Sequence, residues 1–221
     1  ACNSRYRELL DLPDRLVALR PAVPRDSARL LVVRGDGGLD HCLIRDLPNL
    51  LQKGDILSVN DSRVIPARLA AIRPPRSPEA PPVPVEVTLH KREGEARYRA
   101  FAQPARRLRP GDRLDFPGGL TARVEARTGG EAVLDFSLSG AALDAAIAQT
   151  GDMPLPPYIA KLRAPDAQDR SDYQTAYADR PGSVAAPTAG LHFTPALIER
   201  LEASGIGMAR TTLHGGAGTF L

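Results

Sequence analysis

Two histidines, His192 and His214, each stand in a loop of small residues, an arrangement suited to moving protons beside a polar ligand. The first loop, between Pro187 and Phe193, also carries Thr188 and Gly190; the second runs His214-Gly215-Gly216-Ala217-Gly218-Thr219-Phe220. Glycines at such places permit positive φ and let backbone N–H groups come close to a ligand. A lone histidine is more often structural than catalytic, but two in matching loops raise the odds of a shared site. The glycine spacing is that of neither a dinucleotide fingerprint nor a Walker loop. A third polar group, Asn60-Asp61-Ser62-Arg63, crowds four side chains at the end of an apolar run. It reads equally as an Asx-turn network that shapes a loop or as part of a site.

The elements that must position these residues follow from pattern. Ser183 to Ala186 is small and apolar, as a buried strand would be, and Thr194-Pro195 is an N-cap followed by proline at the first helical position. The spacing predicts a helix from Pro195 to about Ser204, with Leu197, Ile198 and Leu201 inward, and then a strand over Ile206–Leu213. Strand, loop, helix, strand is a βαβ unit; if its strands are parallel neighbours, His192 and His214 face one pocket at their carboxyl edge. Upstream, Asp14–Leu19 reads as a short helix, Leu30–Val33 as a buried strand, Gly35–Gly38 as a hairpin turn and Ile56–Val59 as a strand. Tyr158 lies on a proline-fixed path, Met153 to Ile159. Tyr173 and Tyr177, four apart, share a face if their segment is helical, where packing is a commoner role than base stacking.

From Ile72 the character changes. A proline-rich stretch, 74–82, reads as a linker or exposed loop, and five short alternating segments follow: Val83–His90, Arg97–Gln103, Asp112–Phe116, Leu120–Ala126 and Ala132–Ser137. Their even spacing predicts a small all-β barrel or sandwich, closed by a helix over Ala141–Ala148. Arg106, Arg107, Arg109 and Arg113 surround one turn, read as a solvated turn in preference to a phosphate contact.

The 221 residues bury a real core in one or two domains, and 43% apolar with 25% charged residues is ordinary globular composition. No apolar run reaches membrane-spanning length and no signal-peptide pattern opens the chain, so the expectation is a cytoplasmic protein without a membrane partner. Cys2 and Cys42 make neither a disulfide framework nor a metal site. The net charge is +3, and of 29 basic residues only Lys53, Lys91 and Lys161 are lysine. Arginine suits bidentate phosphate contacts, a slight lean toward nucleic acid that a general arginine bias would equally explain.

Five segments in order carry a resemblance: Asn60–Leu69, Met153–Ile159, Tyr173-Gln174-Thr175-Ala176-Tyr177-Ala178, Gly182–Phe193 and Thr212–Phe220. Together, with Arg25–Leu30 near the start, they resemble the S-adenosylmethionine:tRNA ribosyltransferase-isomerase family of the queuosine pathway. The likeness is weakest over 70–149. It implies an α/β open-barrel domain, residues 1–69 and 150–221, interrupted by a small all-β barrel domain, residues 70–149. It also implies transfer and isomerisation of the ribosyl group of S-adenosylmethionine onto 7-aminomethyl-7-deazaguanine in tRNA, yielding epoxyqueuosine, adenine and methionine. The partners are then tRNA and S-adenosylmethionine, the latter as donor substrate, with no cofactor and no metal. The resemblance marks the positions, and the chemistry suggests the roles: His192 and His214 as the acid/base pair, with Asp61 holding an amine or a ribose hydroxyl. Arg63 and Arg68 anchor phosphate or carboxylate; Thr188, Gly190, Gly218 and Thr219 line the ligand cradle. Asn60, Tyr158, Tyr173, Gln174, Tyr177, Phe193 and Gly216 complete the implied binding set. Gly215 stands where the family carries valine and Ser62 where it carries threonine. Family members run well beyond the Gly-Thr-Phe motif, so the resemblance implies a chain without their C-terminal part. A non-catalytic RNA-binding or interaction fragment of the same fold is the alternative.

Overall fold

The computed structural model describes residues 13–216. A hairpin of β1 (Arg29–Val33) and β2 (Leu39–Leu43) leads through a short helix, α1 (Leu47–Leu50), into β3 (Ile56–Asn60) and β4 (Ser62–Val64). Next come β5 (Arg68–Arg73), β6 (Val83–Arg92), β7 (Arg97–Gln103), β8 (Arg113–Asp115), β9 (Thr121–Thr128) and β10 (Glu131–Phe136), followed by α2 (Gly140–Thr150). The chain returns through α3 (Pro157–Ala160), α4 (Asp169–Asp172), β11 (Arg180–Ser183), α5 (Pro195–Ala203) and β12 (Gly207–Thr211).

β5 to β10 close a six-stranded antiparallel barrel in the order β10-β7-β6-β5-β8-β9. β6 shows why: Val83, Val85, Val87 and Leu89 alternate with more exposed residues, and the strand period of two sends all four inward. Leu69, Ala100, Leu114, Val124 and Leu134 meet them in one cluster, which Leu143 and Ile147 of α2 join. The barrel thus has one strand more than the five read from sequence, and it opens at Arg68 rather than at residue 70. Arg68–Arg73 had no turn signal to separate it from the preceding motif, and the proline-rich stretch lies inside the barrel, between β5 and β6.

The remainder packs around the strand path β3–Asp61–β4. β12 pairs with β3 and β11 with β4, both parallel, so β11 and β12 are not hydrogen-bonded neighbours as the βαβ reading required. Leu197, Leu201, Ile206 and Ile44 are buried together beneath α5, with Leu30, Leu47, Leu51 and Leu57 against them. Fully burying a leucine contributes about 1.5–3 kcal/mol, so this cluster fixes α5 over the hairpin. The Thr194 hydroxyl caps α5, accepting from the Leu197 amide at 3.1 Å.

Three local expectations change. Asp14–Leu16 is a single 3₁₀ turn, because the prolines that follow leave no room for a helix to propagate. β1 is half-exposed, with Leu31 at 53% and Val33 at 67%. α4 stops at Asp172, so Tyr173 and Tyr177 share no helical face; Tyr173 is buried with Val64, Met153, Leu155 and Ile159, and Tyr177 against the His192 loop. Arg20 ties the N-terminal segment to this region, pairing with Asp166, Asp169 and Asp172, while Arg163 also pairs with Asp169.

Candidate functional site

Asn60 ends β3 and Asp61 joins it to β4, and their side chains hold the chain that leads to His214. Asn60 Nδ2 donates to the Leu213 carbonyl at 2.8 Å, and its Oδ1 accepts from the amides of Leu213 and Ser62 at 3.1 and 3.0 Å. Thr212 Oγ1 donates to Asp61 Oδ1 at 2.7 Å, and the Asp61 carbonyl accepts from the amides of Asp179 and Arg180. On the other side the Val184 amide donates to Gly215 O, and the Gly215 amide to Ser183 Oγ. Residues 212–215 are therefore laced between β3–β4 and β11. The imidazole of His214 lies against Gly182, where a Cβ would be 3.1 Å from its Cε1 and the backbone has φ +134°. Only glycine accommodates both that φ and that ring.

His214 lines a cleft of about 970 Å³ between the barrel and β4–β11, at the upper end of the range for small-molecule pockets, roughly 300–1,000 Å³. Its floor is apolar, including Val64, Ile65, Leu89, Ile147 and Val184. Its walls carry four cations, Arg63, Lys91, Arg92 and Arg99, against two carboxylates, Glu131 and Asp144. Arg92 is committed: it donates to Asp144 at 2.8 Å and lies 5.4 Å over the Tyr98 ring. Arg99 is drawn to Glu93 at 2.5 Å. Arg63 donates only to the Ala178 carbonyl at 2.7 Å, and neither it nor Lys91 has a carboxylate partner among the described residues.

His90 lies in the same wall, its side chain 5% exposed and its Nε2 3.1 Å from Glu131 Oε1. Glu131 is close enough to act on the ring, but Nε2 makes no well-directed hydrogen bond among the described residues. Burial lowers its pKa, only partly opposed by the Glu131 charge, so the ring is held neutral. Phe101 supports the ring with centroids 4.6 Å apart.

His192 is not among the residues lining this cleft. It ends a 3₁₀ turn, Thr188–His192, that is packed on Tyr177 and pinned by Arg25. Arg25 donates to the carbonyls of Gln174 at 2.7 Å and Leu191 at 3.3 Å. Gly190 is buried beneath Tyr177, where a Cβ would come within 2.1 Å of the phenol oxygen; Phe193 meets the Tyr177 ring edge-on at 6.2 Å. Burial raises the pKa of both Tyr173 and Tyr177, so both phenols stay protonated. The Nδ1 of His192 is buried without a hydrogen-bond partner among the described residues.

The other motif residues divide by what they touch. Arg63 and Gly216 line the cleft. Arg68 pairs with Glu86 on the neighbouring barrel strand, away from the lining. Gln174 acts as a substitute strand, its amide donating to the Val64 carbonyl at 2.6 Å and accepting from the Val64 amide at 3.1 Å. Tyr158 is 56% exposed on α3, and Thr188 is exposed. Gly218 and Thr219 lie outside the described residues. Sequence reading missed His90, Glu131 and Asp144; the available signal was a histidine at the end of an alternating apolar strand. Among the described residues no group of three or more His, Cys, Asp or Glu converges as a metal cluster, and no helix is long and apolar enough to cross a membrane.

A family model described as queuosine biosynthesis protein matches residues 9–221. The chain is 59% identical over 213 residues to the S-adenosylmethionine:tRNA ribosyltransferase-isomerase of Parvibaculum lavamentivorans, covering 96% of this chain and 60% of that protein. It is 56% identical over 222 residues to the enzyme of that name from Methylobacterium sp., covering 96% and 61%. The chain thus spans about three fifths of the length of the curated relatives it matches. A solved S-adenosylmethionine tRNA ribosyltransferase from Thermotoga maritima is 29% identical and aligns over 94% of this chain and 57% of that one, with a TM-score of 0.36.

Proposed function

Because the chain belongs to the queuosine biosynthesis protein family, we propose that it carries part of a ribosyl-transfer site acting on S-adenosylmethionine and tRNA. The reaction is transfer and isomerisation of the ribosyl group onto the aminomethyl group of 7-aminomethyl-7-deazaguanine, giving epoxyqueuosine with release of adenine and methionine. S-adenosylmethionine enters as the donor substrate. Its sulfonium acidifies the adjacent ribose carbon and makes methionine a good leaving group. A base must take that proton, and an acid must protonate the departing adenine. The open-barrel arrangement of the α/β part, into which residues 13–67 and 151–216 would fit, belongs to the same proposal.

One observation carries the reading: His214 is fixed at the cleft wall by a glycine it packs on and by the Asn60–Asp61 clamp. Of the two histidines it is the one that the cleft supports as a proton-transfer group. His192 is supported only by its unbonded Nδ1, and through a neighbouring loop. Arg63, on the lining and without a carboxylate partner, suits an anionic group of the tRNA. Asn60 and Gln174 act by positioning, since their amide groups are engaged by backbone, and Asp61 Oδ1 holds Thr212.

The test is single-turnover incubation of this chain with S-adenosylmethionine and tRNA bearing the aminomethyl base. Adenine should appear in step with the modified nucleoside, and His214→Ala should slow its release by about 10²–10⁴-fold. An unchanged rate in His214→Ala removes that residue from proton transfer. Salt-sensitive tRNA binding without adenine release favours the second reading, an RNA-binding module, to which the excess of cations in the cleft points.

A further inference from the structure

The barrel wall of the cleft holds two features that proton transfer by His214 does not use. One is a pair of cations, Arg63 from β4 and Lys91 from β6, facing the same space without carboxylate partners among the described residues, while Arg92 and Arg99 are neutralised by Asp144 and Glu93. The other is the His90–Glu131 pair. His90 Nε2 is buried, has no hydrogen-bond partner among the described residues, and stands 3.1 Å from a carboxylate oxygen that it does not properly bond. A buried ring nitrogen without a well-directed partner is costly, so an arrangement that keeps one at a cleft is explained most directly by a ligand that completes it.

The ligand group that completes this pair is a hydroxyl. It donates one hydrogen bond and accepts others, so it can donate to Glu131 while accepting from the N–H of the neutral imidazole. A phosphate cannot take that place, because Glu131 repels it. A phosphate does fit Arg63 and Lys91, and a ribonucleotide carries both groups within one residue. Resting on the proposed tRNA substrate, we propose that this wall is a ribonucleotide subsite. Arg63 and Lys91 hold a backbone phosphate, and His90 with Glu131 holds the 2′-hydroxyl that distinguishes RNA from DNA. The accessible apolar surface of the same lining, Ile65, Ala148 and Pro181, takes the sugar and base faces.

The experiment compares a fluorescein-labelled single-stranded RNA dodecamer with DNA of the same sequence, by anisotropy over a salt series, on this chain and its variants. Arg63→Gln and Lys91→Gln should each reduce the slope of log K against log salt by about 0.7, equally for RNA and DNA, because each removes one phosphate contact. His90→Phe, which keeps a ring on Phe101, and Glu131→Gln should leave those slopes alone and reduce the RNA-over-DNA preference by about 3- to 10-fold. Arg127→Gln, near the end of β9 and outside the cleft lining, should match the parent chain. Unchanged slopes in both cation variants, an unchanged preference in both His90→Phe and Glu131→Gln, or no RNA binding by the parent chain each overturn the subsite. Loss of adenine release in the presence of normal slopes and preference would instead overturn the transferase reading and leave the subsite standing.

Discussion

The tightest point in the described structure near the His192 loop is Gly190, and substituting it separates two opposing effects by sign. Gly190 has no positive φ, so in open space Gly190→Ala would stabilise the protein by about 0.4–1 kcal/mol through the unfolded chain. The space is not open. The new Cβ would lie 2.1 Å from the Tyr177 hydroxyl oxygen, 2.9 Å from the Thr175 methyl and 3.0 Å from Tyr177 Cζ. Overpacking of that kind costs about 1–3 kcal/mol, which outweighs the entropic gain, and at this chain length each kcal/mol moves Tm by about 2–4 °C. Urea unfolding followed by circular dichroism should therefore show a lower midpoint for Gly190→Ala. Tyr177→Phe removes the atom at 2.1 Å but leaves the ring carbon and the Thr175 methyl. The double variant should thus recover only part of the loss, with a coupling of about 0.5–1.5 kcal/mol. A wild-type or raised midpoint in Gly190→Ala, or strict additivity with Tyr177→Phe, refutes the argument that Tyr177 sets the position of the His192 loop.

Three further perturbations probe other parts of the frame. Asn60→Ala removes three hydrogen bonds at the His214 exit, each of net worth about 0.5–1.5 kcal/mol, and should increase hydrogen exchange at the Ser62 and Leu213 amides more than elsewhere. Thr194→Ala deletes the α5 cap and should cost about 0.5–2 kcal/mol by chemical denaturation. At buried Asp169, burial pushes the carboxyl up, but the Arg163 hydrogen bond, the Asp166 amide and Arg20 outweigh it and hold the pKa below the usual carboxylate value. A depressed pKa gives stability that is present above the unfolded value of about 3.9 and lost as pH falls through the folded value. Asp169→Asn should accordingly destabilise by up to about 3–5 kcal/mol at pH 6, with the gap to wild type closing in urea titrations below about pH 4.

Local patterning made much of the fold readable. α5 shows its cap, its first-turn proline and its inward Leu197 and Leu201 in sequence, and β6 shows its alternation, because both signals are made by neighbours in the chain. The failures come where tertiary context decides. Arg68–Arg73 is a barrel strand only because β6 and β8 flank it, and no turn residue marks where the motif before it ends. β1 looks like a buried strand because four apolar residues are adjacent, yet only one face of it meets Ile44 and the α5 leucines. The pairing of β11 with β4 and β12 with β3 depends on the bend at Asp61, a residue whose type suggests a loop and whose place in the sheet does not show.

The site divides along the same line. Motif residues are chemically conspicuous, so His214, Arg63 and Gly216 were all legible, but type alone does not separate a group that touches ligand from one that holds it there. Asn60 and Asp61 left both readings open, and their hydrogen bonds to residues 212 and 213 favour positioning: they hold the backbone that leads to His214. Gln174 makes the point most sharply, since its amide imitates a backbone strand against Val64. The barrel wall was hidden for the opposite reason. His90 and Glu131 sit in no motif and are separated by three intervening strands of sequence, and only the pairing of both β6 and β10 with β7 sets them 3.1 Å apart. A cleft whose one wall is a motif and whose other wall is a closed barrel can change its barrel side chains without disturbing the histidine loops. If that wall reads the sugar as proposed, substitutions at His90 or Glu131 should alter which nucleic acid is held while leaving the Asn60–His214 clamp intact, and the hydrogen exchange of Leu213 in His90→Phe should match the parent chain.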